Sequence, residues 1–349
     1  TTSRDHFIIG FTKGEIIQRL RIFNGNLSDE FVSEALKIKD TRTWSLNQAR
    51  QKVKALNLDN NIYSYAYRPF DIRLICYEPV LIERNRYNLM KHLLLDNIAI
   101  CTNKILAKVP FNHAFVSSCI GDNTFVSNIT KERTYFFPLH LYPDEPAKAI
   151  HELPLQNTSQ QQRIPNISAE FSKAIEETLE KEQTTKEIFY YIYAVLYSPT
   201  YRKRYEEFLK IDFPRIPLPT DYKLFETLSN LGKELVDLHL LKHTALDETE
   251  IGFPQSGSNI VEKVSYDEKA HRVYINKEQY FEGIPNKVWQ YRIGAYQVMD
   301  KYLKDRKERK LSLDEINHYM KVAKSIHLTI ESDISSWETY WYVNKYGTW

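Results

Sequence analysis

The chain has 349 residues, 42% of them hydrophobic and 26% charged, with a formal net charge of +2. That length supports one large or two medium domains with a substantial core, and the near-neutral balance excludes a protein that is basic throughout, so any nucleic-acid surface must be a local patch. Three widely spaced cysteines, Cys76, Cys101 and Cys119, argue against a disulfide framework or zinc site, and no apolar run of about 18 residues predicts a membrane span.

Taken in order, residues 7–11 predict a short strand and 13–23 a helix. Ser28 caps a second helix, where Phe31, Ala35 and Leu36 recur at helical spacing, and Ser45 a third with Ala49, Val53 and Leu56. Residues 61–95 hold the stretch around which the rest is arranged. Tyr63, Tyr65 and Tyr67 alternate at the period of a strand. Arg68-Pro69-Phe70-Asp71 breaks it, because proline lacks a ladder donor and restricts the residue before it. A second extended run covers 72–77, and after Arg84 and Arg86 a short helix turns Leu89, Met90, Leu93 and Leu94 inward. Arginines among tyrosines and β-branched residues suit a sheet that meets a polyanion, and equally an ordinary half-exposed sheet. Further strands are expected at 97–101, 114–119, 124–127 and 135–142, with a turn at Gly121-Asp122-Asn123.

Residues 143–165 become polar and glutamine-rich between prolines, the composition of a linker. Ser168 then caps a helix with Phe171, Ile175 and Leu179, and a tyrosine-rich helix covers 186–197. Ser198-Pro199 stops it, an amphipathic helix resumes over 201–211, and Asp221 opens a long one. Residues 259–276 alternate like a hairpin turning at 267–270, and 289–293 read as a strand ending at Gly294. A helix at 296–306 runs into the charge run 304–310, a weak phosphate site, before Ser312 and Glu315 form the capping box of a last helix. The fold class expected is α+β with two subdomains: a mixed or antiparallel sheet with helices over 1–145, a linker at 146–165, and a helix-rich half with a small β element over 166–349.

Chemistry-bearing motifs are missing. None of the ten glycines lies in a G-x-G-x-x-G or G-x-x-x-x-G-K loop, and N/D-P-P-Y/F, H-E-x-x-H, C-x-x-C and G-x-S-x-G are absent. Pro143-Asp144 is a poor start for a nuclease, since no glutamate-x-lysine follows at useful distance and the one such triplet, Glu308-Arg309-Lys310, lies in a charge run. His92, His113, His140 and His239 sit in apolar or helical contexts and are expected to be structural. No catalytic or metal-binding residue is expected in this chain.

YRPFDIR at 67–73, Tyr77 and ERNRYNLMKHLL at 83–94 resemble the target-recognition region of Type ISP and related Type IIG single-chain restriction–modification enzymes. TTSRDHFIIGF at 1–11, TYFFPLHLYPD at 134–144 and the block from Gly283 to Ile330 resemble the same family in the same order. The resemblance implies a C-terminal specificity domain with two subdomains around a cleft. In that family an adenine-specific DNA methyltransferase domain lies upstream, with S-adenosylmethionine, and Mg and ATP, bound in domains outside this chain. The chain starts at Thr1 as a fragment would; the partners implied are double-stranded DNA and the upstream domain of the same polypeptide, in the cytoplasm.

A reading surface needs cations for phosphates and Arg, Lys, Asn or Gln for base edges. Arg68, Arg73, Arg84, Arg86 and Lys91 form the first candidate cluster, though Arg68 and Arg73 could instead pair with Asp71 and Glu78 and hold the sheet. Asn112 and Asn123 lie in loops at strand ends, and Lys131 and Arg133 precede a strand. Arg202, Lys203 and Arg204 sit on a helix between tyrosines, and Asn286, Lys287 and Arg292 surround Trp289. Arg4 suits interdomain packing as well as DNA. The competing expectation is a coupling module that packs on other domains and touches no DNA.

Overall fold

The structure is a computed structural model and describes residues 4–107, 110–143 and 163–332. It is α+β, as expected, and the chain divides into two compact units: residues up to Ile98 with Ser117–Phe125, and Ala99–Val116 with the described residues from Val126 on. This division does not follow a boundary near 145, because the strands at 99–103 and 134–138 pack with the later helices. Most of the expected linker lies outside the described residues; its end does not behave as a linker, since Ile164–Pro165 pairs antiparallel with His140–Leu141.

The first unit is built round a mixed sheet in the order Ile9–Gly10, Asp71–Cys76, Ile62–Arg68, Ile120–Gly121. Ile62–Arg68 and Asp71–Cys76 form a hairpin, and Pro69-Phe70 is its turn, with a register shift between Ala66 and Arg68. Helices Lys13–Asn24 and Asp29–Leu36 start where Thr12 and Ser28 accept the Glu15 and Phe31 amides, contacts that each stabilise a helix by about 1 kcal/mol. Two expectations fail here. Residues 5–8 make a helical turn before the short strand. Ser45 does not cap Leu46–Val53; Asp40 accepts the Leu46 amide instead, at 2.8 Å. Phe31 and Leu56, named for their helical spacing, are exposed, and Val32 fills the core with Phe7, Ile16 and Phe23.

In the second unit a sheet of order Ala114–Ser117, Ala99–Asn103, Thr134–Pro138 accompanies a helical assembly. Residues 124–127 are not a strand: the Asp122 carboxylate takes both the amide and hydroxyl of Thr124 and turns the chain. Helix Thr185–Tyr197 is buried on nearly every side and packs against Tyr222–His239. Its tyrosines bury their rings and satisfy their hydroxyls: Tyr191 donates to Pro217 O at 2.8 Å and Tyr197 to Ala114 O at 2.9 Å. The expected 201–211 helix divides into Pro199–Arg204 and Glu206–Ile211. Ser265–Asp267, Arg272–Tyr274 and Tyr280–Glu282 form a three-stranded sheet, one strand more than the expected hairpin. Residues 289–293 are not one strand, because Asn286–Trp289 closes a helical turn after Pro285, and Arg292–Ile293 pairs with Tyr296–Gln297 about Gly294. The capping box of Ser312 and Glu315 starts the last helix among the described residues, Leu313–Glu331.

His239 lies wholly inside this unit. Thr329 donates its hydroxyl to Ser325 O at 2.8 Å, so His239 Nε2–H donates to Thr329 Oγ1 at 3.1 Å, and Nδ1 accepts the Tyr193 hydroxyl at 2.7 Å. Burial, with Arg202 adding to it, lowers the His239 pKa to about 3 from 6.5. The folded state therefore refuses a proton that the unfolded chain accepts. Stability from this site is complete above pH 6.5 and is lost as pH falls from there toward 3. At pH 5 the loss is about 2 kcal/mol. Melting temperature followed from pH 7 to 5 should fall, and the fall should be shallower in His239→Asn, whose side chain does not titrate.

Candidate nucleic-acid interface

In the first unit, the turn after the hairpin holds two cations outward on a fixed frame. Tyr77 donates its hydroxyl to Asn85 O and stacks on Tyr87 with ring centroids 6.4 Å apart. The Asn85 side chain ties the turn at both ends, donating to Pro79 O at 3.4 Å and accepting the Tyr87 amide at 2.9 Å. Arg86 has φ +54°, a conformation a bulky residue adopts at a cost, which the frame imposes. Arg84 and Arg86 are exposed, and neither has an acidic partner among the described residues. The nearby carboxylate is already engaged: Glu83 faces Arg4 at 3.9 Å and accepts the Thr43 hydroxyl at 3.2 Å. Arg42, next to Thr43 in the chain, is exposed and has no acidic partner among the described residues. Sequence reading missed Arg42; its only signal was a cation between two threonines ahead of Trp44.

Arg68 and Arg73 are scaffold. Arg73 donates through Nη2 and Nε to Asp71 Oδ2 at 2.9 and 3.2 Å and lies 3.6 Å over the Tyr67 ring. Arg68 faces Asp122 at 3.8 Å and stacks on Tyr67 at 3.9 Å. Glu78, offered as a partner for them, instead accepts Asn61 Nδ2 at 3.0 Å. Asp122 also accepts the Tyr65 hydroxyl at 3.0 Å, so the Gly121-Asp122-Asn123 turn is fastened beneath the hairpin. Asn123 turns its amide oxygen inward, and Lys91 is half-buried at the end of the short helix. Arg4 is 2% exposed and 3.7 Å over Trp44, an internal strut in place of a DNA contact.

The second unit brings together Asn112 and Arg292, 180 positions apart. Asn112 Nδ2 donates to Arg292 O at 3.3 Å and Gly294 N to Asn112 O at 2.9 Å. Gly294 permits this approach: it has φ +54°, and a Cβ there would lie 2.0 Å from Val126 O. Next to Asn112, His113 Nε2 is 3.2 Å from Glu132 Oε2 inside the unit, and Ala107 N donates to Glu132 Oε1 at 2.7 Å. Burial lowers the His113 pKa, and Glu132 offsets only part of that. The buried Glu132 thus anchors a turn whose flanking Lys131 and Arg133 are exposed, as is Arg292.

The remaining candidates are scattered. Arg202 turns inward, donating to Leu196 O at 2.6 Å, while Lys203 and Arg204 stay exposed on the same helix. Asn286 donates to Glu268 and Lys287 is exposed beside it. In the 304–310 run, Arg306 is 3% exposed, bound to Glu315 at 3.0 Å and stacked on Tyr302 at 3.5 Å, so the expected phosphate site loses its central cation to the core.

Among the described residues no group of three or more His, Cys, Asp or Glu side chains could hold a metal ion, and no helix is long and apolar enough to cross a membrane.

The fold is α+β, and exposed cations stand on loops braced from within, by Tyr77 and Asn85 in one unit and by Glu132 in the other. The chain belongs to the Type ISP C-terminal specificity domain family, whose model matches residues 1–332. No curated protein matches. Three solved structures share the fold over 95% of this chain: a cryo-EM DrdV–DNA complex (TM-score 0.72, 21% identity), the ATP-dependent Type ISP restriction-modification enzyme LlaBIII bound to DNA (0.71, 20%), and a nuclease-deletion mutant of the Type ISP enzyme LlaGI with a DNA substrate mimic (0.64, 20%). This chain covers 34%, 22% and 26% of those chains, respectively.

Proposed function

We propose that this chain reads a specific sequence in double-stranded DNA for a restriction–modification enzyme that modifies adenine, the methyl-transferring chemistry residing elsewhere in a longer polypeptide. The observation that carries this reading is the turn at Arg84 and Arg86, rigid in backbone and free of neutralising carboxylates among the described residues. Membership of a specificity-domain family and the DNA in all three similar structures support it. Arg42, Lys131, Arg133 and Arg292 extend the set of exposed cations, and Asn112 beside Arg292 adds a side chain able to discriminate base edges.

A fluorescence-anisotropy titration of random duplex DNA across salt tests the reading. With four to six phosphate contacts, log K against log salt should fall with a slope of roughly −4 to −5. A flat response would instead favour a coupling module.

A further inference from the structure

Residues 127–133 of the second unit form a short loop that is tied at its base and braced inside. Val126 N donates to Thr134 Oγ1 at 2.9 Å across the base. Ser127, 0% exposed, accepts the Ile129 amide at 3.2 Å, and Glu132 N donates to Ile129 O at 3.0 Å. The Glu132 carboxylate, also 0% exposed, is engaged inward by Ala107 N and His113. Lys131 takes φ +75°, a left-handed backbone that a lysine adopts at a cost and that this bracing imposes. At the root, Val126 O accepts the Ala295 amide at 3.2 Å, which fixes the loop beside the hairpin carrying exposed Arg292. Four side chains of the loop are exposed: Asn128, Thr130, Lys131 and Arg133. None is acidic or apolar, and neither cation pairs with a carboxylate among the described residues. The Asn128 amide likewise has no hydrogen-bond partner among them.

We propose that Asn128 discriminates adenine in the major groove of the target duplex while Lys131 and Arg133 rest on phosphates beside it, a role that depends on the DNA reading given above. A surface that docks protein carries apolar or aromatic side chains at its centre, and this loop exposes none. Two uncompensated cations flanking an amide match a duplex instead, where cations meet phosphates and an amide meets a base edge. Thr130 is the poorer discriminator, because a hydroxyl pairs with several bases alike. The Asn128 side chain can bond two edge atoms of adenine at once, accepting from N6 and donating to N7. The bracing by Ser127 and Glu132 holds the loop in one shape, so the amide is presented without first ordering the backbone.

Selection from a library of randomised duplexes, with the bound fraction sequenced, tests this in the full-length polypeptide that includes these residues. The unaltered protein should yield a consensus. Asn128→Ala should lose the preference for adenine at one position of it, by about 5- to 100-fold, and keep every other position. Lys131→Ala with Arg133→Ala should leave the consensus unchanged and make the salt slope shallower by about two. All three side chains are exposed, so melting temperatures should not move. A consensus identical in Asn128→Ala overturns the proposal while the DNA reading stands. So does an affinity that Asn128→Ala lowers evenly over all sequences, which would make Asn128 a phosphate contact, and so does an unchanged salt slope in the double variant. An unaltered protein that selects no consensus and binds with no salt dependence overturns both readings together.

Discussion

Replacing Arg84 and Arg86 together by alanine should weaken DNA binding about 10- to 100-fold while leaving the fold intact. Both side chains are exposed and neither has an acidic partner among the described residues, so thermal stability should stay within about 0.5 kcal/mol. The loss can take two forms. If both cations rest on phosphates, the salt slope should shrink by about two and all sequences suffer alike. If either reads a base edge, the advantage of the preferred site over random DNA should fall, by about 1–3 kcal/mol for each such contact. Arg73→Ala gives the contrast, since it removes both donors from Asp71, which is 1% exposed, and should lower the melting temperature. Anisotropy titrations at several salt concentrations, with melting curves of the same samples, separate these outcomes. Unchanged affinity in the double variant would remove the carrying observation.

The largest loss of stability should come from Gly232→Ala. A Cβ at Gly232 would lie 1.9 Å from Tyr190 O, and that atom is helix backbone that cannot rotate away. Helices Thr185–Tyr197 and Tyr222–His239 touch here through small residues, with Ser229 Oγ donating to Glu187 O at 3.0 Å nearby. One methyl group must therefore push two helices apart along their contact. Overpacking of this kind costs about 3 kcal/mol or more, or roughly 6–12 °C in melting temperature. Gly14→Ala is the matched control: the nearest atom to its new Cβ is 3.9 Å away, in helix Lys13–Asn24, so the change should be neutral or slightly stabilising. Calorimetry on both variants decides it.

Local signals in the sequence carried well where they act locally. Caps at Ser28, Ser168, Asp221 and Ser312 mark real helix starts, and Pro69 breaks the tyrosine ladder because its chemistry requires it. Long-range effects were invisible. The tyrosine-rich helix at 186–197 was legible as a helix, but not that Tyr191, Tyr193 and Tyr197 fill a core in which each hydroxyl reaches a carbonyl or His239 from another segment. Arg68 and Arg73 read as contacts and scaffold alike, because only the fold brings Asp122 under the hairpin, 54 positions after Arg68. Asn112 meeting Arg292 depends on Gly294 lying against Val126 O, a fit no spacing discloses.

The frame of the Arg84–Arg86 turn is held by Tyr77, Asn85 and Tyr87, and neither arginine side chain contributes to it. The side chains at 84 and 86 thus carry no part of the frame, although φ +54° at position 86 disfavours β-branched residues there. If the proposed reading holds, exchanging residues there retunes the preferred target while the polypeptide keeps its shape, so new specificities are reachable through a few codons without passing through an unfolded intermediate.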